Sequence, residues 1–151
     1  MGLMYTARFN TAVTAAQDVF ALTTVSPDMC VIHSIRLGQT SDPGDAQAEM
    51  LGVVIARVAT VGSGGAAVTP QPHMIGAPSA TATMRANDTT VAATPTILLS
   101  DAWNVQAGWL YLPTPEERIW CSSTNKIVVT ITAPADSLSM RGSFTFEEIL
   151  G

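Results

Sequence analysis

Apolar residues recur at every second position along most of this chain, the spacing of half-buried strands and not of amphipathic helices. In "MYTARFNTAVT", Tyr5, Ala7 and Phe9 share one face, while Thr6, Arg8 and Asn10 share the other. "DVFALTTV" reads as a shorter second strand. "MCVIHSIRLGQ" is a stronger third, with Cys30, Ile32, Ser34 and Arg36 on one parity and Val31, His33, Ile35 and Leu37 on the other. "MLGVVIARVATV" is the most apolar run and suits a sheet centre. "TATMRAND", "TPTILLSDAWNV", "KIVVTITAP" and "MRGSFTFEEIL" continue the pattern, with Phe144, Phe146 and Ile149 supplying the last apolar contacts.

Between these runs stand turn signals. Pro43-Gly44 in "TSDPGDAQAE" marks a type II turn in which Asp42 accepts backbone hydrogen bonds. "GSGGAAVTPQPHMIGAPSA" has little periodicity and is too long for a hairpin. The expectation is an all-β fold: a jelly-roll β-sandwich of about eight strands, with an immunoglobulin-like sandwich as the alternative. No tryptophan follows Cys30 at the spacing of a true immunoglobulin core. A single domain spans residues 1–151, with a Gly/Pro-rich excursion at about 62–79 passing over one end.

Charge narrows the function classes. Only 13% of residues are charged, about half the usual share, and Thr, Ser, Asn and Gln fill many polar positions. Such a surface suits contact with other proteins. The formal charge of -5 and the absence of any Lys/Arg cluster along the chain argue against direct nucleic-acid binding. "MGLMYTARF" lacks a basic region followed by a long apolar run, so neither a secretory leader nor a membrane segment is expected there. Gly2 and Thr6 resemble a myristoylation context only superficially. "NDT" at Asn87 matches a glycan acceptor, which means little without an export signal. Cys30 and Cys121 read as two buried free thiols, with one disulfide between them as the alternative.

The residues that carry chemistry do not converge in sequence. Cys30 and His33, three apart on an extended strand, face opposite sides and do not chelate together. Asp42, Asp45 and Glu49 have the oxygen ligands calcium prefers, but read first as a solvated turn. "GSGG" lacks the Lys-Ser/Thr continuation and helix of a phosphate-binding loop. Glu116 and Glu117 diverge as neighbours, and nothing in sequence brings Asp101 toward Glu116 as a catalytic pair. The chain therefore reads as a non-enzyme, with no catalytic residues, no metal site and no cofactor.

"SDAWNVQAGWLYLPTPEERIWC" holds all three tryptophans. Trp109 and Tyr111 share one strand face, and Leu110 and Leu112 share the other. Large apolar groups therefore point both ways, which favours a core contact on one side and a subunit contact on the other. Trp103, Trp109, Tyr111, Arg118 and Trp120 are the candidate interface residues, or, in the alternative reading, a platform on which sugars stack. "TPEER" predicts a helical corner with Thr114 and Glu117 as a capping box and Pro115 at its first position. Arg118 then pairs with a nearby carboxylate or reaches a partner, and Ile119 and Cys121 turn inward with Trp120 opposite.

Three segments, "SIRLGQTSDPGDAQAEMLGVVIARVATVGSGGAAVTP", "DAWNVQAGWLYLPTPEERI" and "ADSLSMRGSFTFEEI", together resemble a group of small virion structural proteins of tailed bacteriophages and prophages. The resemblance covers nearly the whole chain, and "AGW-YLPTPEER" is its most specific part. It implies a capsid decoration, or cement, protein that binds the outside of the major capsid protein lattice and stabilises the mature head. The expected location is the capsid surface of the virion, and the host cytoplasm during assembly. A homo-oligomer is implied, with a trimer favoured, so that modest contacts add at repeated lattice points. The alternative is a carbohydrate- or receptor-binding jelly-roll module of a tail or head fibre.

Overall fold

The structure, a computed structural model, describes residues 2–40, 49–122 and 124–149. Among the described residues, twelve strands build two antiparallel six-stranded sheets packed as a sandwich. They are β1 (Leu3–Val13), β2 (Gln17–Thr23), β3 (Met29–Gln39), β4 (Met50–Val58), β5 (Ala66–Val68), β6 (Gln71–Pro72), β7 (Thr83–Asp88), β8 (Thr96–Asn104), β9 (Trp109–Tyr111), β10 (Trp120–Cys121), β11 (Lys126–Ile131) and β12 (Leu138–Ile149). Sheet A runs β10-β3-β12-β1-β6, with β9 also paired to β3. Sheet B runs β5-β7-β2-β11-β4-β8. The eight long runs legible as strands are all present. The four short strands β5, β6, β9 and β10 are additions, since two or three residues are too few to show a period. The Pro43-Gly44 turn and the Asp42 and Asp45 positions lie outside the described residues.

Alternation explains the core. Tyr5, Ala7 and Phe9 of β1 and Phe144 and Phe146 of β12 are buried from sheet A, opposite Phe20 and Leu22 of β2, Ile127 and Val129 of β11, and Val53 and Ile55 of β4. The long third strand departs from simple alternation. Its register against β12 shifts between Thr145 and Phe146, so that Thr145 faces Ser34 but Phe146 faces Ile32. The extra residue, His33, is a bulge. Cys30 and Ile32 point inward before it and Ile35 and Leu37 after it, so neither predicted parity holds along the whole strand.

The Gly/Pro-rich excursion is stitched to both sheets. Its β5 pairs with β7 in sheet B and its β6 pairs with β1 in sheet A, so it crosses the sandwich at that side. Two buried carboxylates hold its neighbourhood. Asp88 accepts hydrogen bonds from Gly65 N at 3.0 Å and from the Arg85 guanidinium at 2.6 Å. Directly across the strand pair, Asp18 accepts from Ala92 N at 2.8 Å and from the Thr130 hydroxyl at 2.6 Å. These bonds pin the 89–95 loop over a small second apolar cluster, Ala21, Ala56, Val58, Ala92 and Val128. At the opposite end Glu148, also buried, accepts from Thr81 N and Ala82 N, and the Thr81 hydroxyl also contacts Asp28. A buried backbone N–H without a partner is costly, and these carboxylates supply the partners that ladder pairing does not.

Close packing sets the glycine pattern. A Cβ on Gly65 would lie 2.3 Å from the Ala86 carbonyl oxygen, whereas one on Gly38 would meet nothing within 4 Å. Gly65→Ala is therefore expected to lower the melting temperature, and Gly38→Ala to leave it unchanged or raise it slightly. Thermal melts of the two variants check the contrast.

Burial raises the Asp18 carboxyl above its ordinary range, and the nearby Asp88 adds to the rise, while the bonds from Thr130 and Ala92 work against it. A raised folded-state value means the folded protein holds its proton more tightly. Stability from this group is therefore present below the ordinary carboxyl range and lost as pH rises above it. Asp18→Asn keeps a group able to bond both Ala92 N and Thr130 without a buried charge. It is expected to match or exceed wild type at pH 7, with its advantage shrinking toward pH 4. Asp18→Ala orphans both donors and should cost about 1–3 kcal/mol. Urea melts at the two pH values separate these outcomes.

Candidate functional site

The segment from β8 to β10 crosses from the free edge of sheet B to the free edge of sheet A, and a tight turn makes the crossing. Gln106 N donates to Asn104 Oδ1 at 2.9 Å, and Ala107 N donates to Asn104 O at 2.9 Å. Gly108 then takes a φ of +73°, and its backbone approaches Leu37 so closely that a Cβ would sit 3.2 Å from the Leu37 oxygen. Asn before such a turn and Gly within it are the residues its geometry asks for.

The turn brings three of the predicted residues together. Trp103 and Trp109 have ring centroids 6.3 Å apart, and Trp109 stacks on Tyr111 at 6.3 Å with 15° between planes. All three are buried, at 6%, 7% and 8% exposure. They fill the mouth of the sandwich, and their faces are given to the core instead of to solvent. Trp109 Nε1 donates to Asp101 Oδ2 at 2.9 Å, a bond from sheet A to sheet B across that mouth. This bond, helped by Ala102 N, holds the Asp101 carboxyl below the usual range. Tyr111 donates its hydroxyl to the Glu117 carbonyl at 3.3 Å, tying the corner to the stack.

Because Trp109 and Tyr111 turn inward, Leu110 and Leu112 turn outward, at 54% and 66% exposure. With Leu98 from the edge of sheet B they line an open groove of about 420 Å³ whose floor is Trp109 and Tyr111. Grooves of similar volume occur elsewhere on the molecule, so size does not single this one out. Its leucines do.

The corner after it is a 3-10 turn, Pro115–Glu117. The capping box is not formed. Thr114 makes no side-chain cap, and its hydroxyl instead donates to Glu117 Oε2 at 3.4 Å. Three residues of tight helix place the Glu117 side chain beside Thr114 without leaving a backbone donor for the hydroxyl to meet. Arg118 is half-buried, and its Nε has no hydrogen-bond partner among the described residues. Trp103 Nε1 is likewise buried without one. Trp120 is exposed on the outer face of sheet A, while Cys121 points inward directly across from Cys30. Both thiols are free and buried, and burial pushes both up from their ordinary range.

The other polar candidates lie apart. His33 pairs with Glu147 at 3.0 Å on the outer face of sheet A, Asp101 is engaged by Trp109, and Glu116 sits on the exposed corner. Among the described residues no three His, Cys, Asp or Glu side chains group as metal ligands. Glu49 Oε1 accepts a hydrogen bond from the Ala135 backbone N–H; Asp42 and Asp45, the other two residues of the calcium reading, lie outside the described residues. Sequence reasoning missed Asp18, Asp88 and Glu148 as buried groups, since nothing in a strand pattern marks an inward-held carboxylate. The comparison with known proteins finds no family model that matches this chain, and no curated protein matches it in sequence.

The Trp109–Asp101 bond predicts an optical pH response. A lowered folded-state value gives stability that is present above the ordinary carboxyl range and lost as pH falls through the lowered value. Tryptophan fluorescence should therefore change on acidification below about pH 4, and Asp101→Ala should remove that transition while leaving the far-ultraviolet spectrum that of a β protein.

Proposed function

We propose that this protein is a non-enzymatic structural subunit of a virion, a decoration protein that binds the outside of a major capsid protein lattice. The observation that carries the reading is the apolar rim at the mouth of the sandwich. Leu98, Leu110 and Leu112 are exposed together, above aromatic rings that are locked in place. A rigid floor with exposed aliphatic groups is the arrangement a protein partner covers with little loss of conformational freedom. The resemblance of residues 101–119 to virion structural proteins of tailed phages is what suggests a capsid lattice as the partner.

Strand order supports a jelly roll. Taken along the chain, β1, β3, β9 and β12 fall in sheet A, and β2, β4, β8 and β11 in sheet B. Their neighbours, β1-β12-β3-β9 and β2-β11-β4-β8, are the orders that two interlocked Greek keys generate. That architecture is used both by capsid proteins and by lectins. The sugar-binding alternative requires exposed ring faces, and of the candidate rings only Trp120 has one, at 53% exposure.

Purified protein is expected to co-sediment at near-stoichiometric ratio with expanded capsids of the encoding phage. Leu110→Ser with Leu112→Ser should reduce that binding at least tenfold without lowering the melting temperature, because neither side chain is in the core. Absence of capsid binding by the wild-type protein, or binding unaffected by the double variant, sinks the reading. Glycan binding lost on Trp120→Ala would favour the alternative.

A further inference from the structure

The outer face of sheet A carries a concentration of positive charge that the linear sequence conceals. Arg36 on β3 faces Ser143 on β12, and Ser143 faces Arg8 on β1. Arg141, two residues before Ser143, faces Gly38 on one side and Asn10 on the other. All three arginines alternate with buried neighbours, Leu37, Met140 and Phe9 among them, and all three are exposed on the same face. Strands lie about 4.8 Å apart, so Arg8 and Arg36 are about 10 Å apart with Arg141 diagonal to both. The floor among them is low: Ser143 is small, and Gly38 would leave open space even with a Cβ. Arg8, Asn10 and Arg141 line a shallow depression there of about 470 Å³.

None of these guanidiniums has a hydrogen bond or an ion pair among the described residues. Arg85, by contrast, is committed to Asp88, and Lys126 donates to the Ala59 carbonyl. The described acid on this face is Glu147, four residues along β12 from Ser143 and already bound to His33 and Gly2 N. Four residues of strand are about 13 Å, more than the Debye length of about 10 Å at 0.1 M salt. Among the described residues no counter-charge stands beside these three like charges, and such a grouping destabilises the free protein slightly instead of helping it fold. Three of the seven basic residues are gathered here in a chain of net charge -5.

We propose that this face, Arg8, Arg36 and Arg141 over Ser143 and Gly38, is a docking surface for the carboxylates of an acidic protein segment. Guanidiniums pair with carboxylates bidentately. The partner is a protein and not a nucleic acid on grounds of size and geometry. The patch spans about 10 Å, room for few phosphates of a long strand, whereas a short acidic segment places its carboxylates within that span, and two planar carboxylates match the guanidinium forks. Leu110 extends the same row, facing Arg36 across β3 and β9, so an acidic segment with an adjoining apolar side chain fits best. The inference does not depend on the partner being a capsid.

The test uses the full chain, isotopically labelled, titrated with a hexaglutamate peptide and followed by amide NMR shifts. Saturable shifts are expected on β1, β3 and β12 at the outward positions. Arg8→Gln with Arg36→Gln and Arg141→Gln should weaken the affinity about tenfold, the sum of a few exposed charge pairs, while Arg57→Gln leaves it unchanged. In the wild-type protein, binding should weaken with added salt and as pH falls through the ordinary glutamate range near 4.3. No saturable shifts on those strands, an unchanged affinity in the triple variant, or tighter binding of an oligothymidylate to the same face would overturn the proposal.

Discussion

Phe20 is the point at which the two sheets are joined. It projects from sheet B and meets Phe9 edge-on at 5.8 Å and Phe144 at 5.6 Å, both from sheet A. Phe144 in turn contacts Phe146, and Phe146 stacks on Tyr5. Five rings thus form a continuous seam under the centre of the sandwich. Large rings with offset and edge contacts add specific geometry to the burial of area. The seam sets which face of β1, β2 and β12 is inside, and through the period of two it sets the outside as well. Arg8, Arg141 and Ser143 are outward because Phe9 and Phe144 are inward.

A sandwich closed by such a seam still has open edges, and this chain treats its two sides differently. On one side the Gly/Pro-rich excursion lays β5 on sheet B and β6 on sheet A, and Asp88 anchors it through Gly65. On the other, β8 ends sheet B while β9 and β10 end sheet A. There the Trp103, Trp109 and Tyr111 stack replaces a covering loop, and Asp101 bridges to Trp109. Unprotected edges invite association with other chains. The side bearing exposed leucines is therefore the side on which a partner has most to gain. The arginine face adjoins it through Leu110, so apolar and charged contacts are available to one continuous approach.

The strands were legible because each long run buries one face, which forces alternation on its residues. The candidate site was legible in part. Crowded aromatics in the 103–120 segment marked a packed corner, and the opposite facing of Trp109 with Tyr111 and of Leu110 with Leu112 followed from strand geometry. Which pair faced inward did not follow, since both are large and apolar. The bulge at His33 was invisible, because a single added residue changes parity without changing composition. Thr114 and Glu117 matched a capping box in spacing, but a 3-10 turn of three residues does not present the backbone donor that the motif needs.

By itself the sequence determined the all-β character, the long strands and the low charge, since these rest on local alternation and composition. Only the tertiary structure decided that Trp103, Trp109 and Tyr111 belong to the core, that Asp18 and Asp88 lie buried side by side, and that Arg8, Arg36 and Arg141 share one face. The physical reason is pairing across distance. Residues up to 145 apart along the chain become neighbours through ladder pairing, as Leu3 and Glu148 do, and Arg8 meets Ser143 from 135 positions away. Backbone register, which one side chain does not encode alone, assigns them their place.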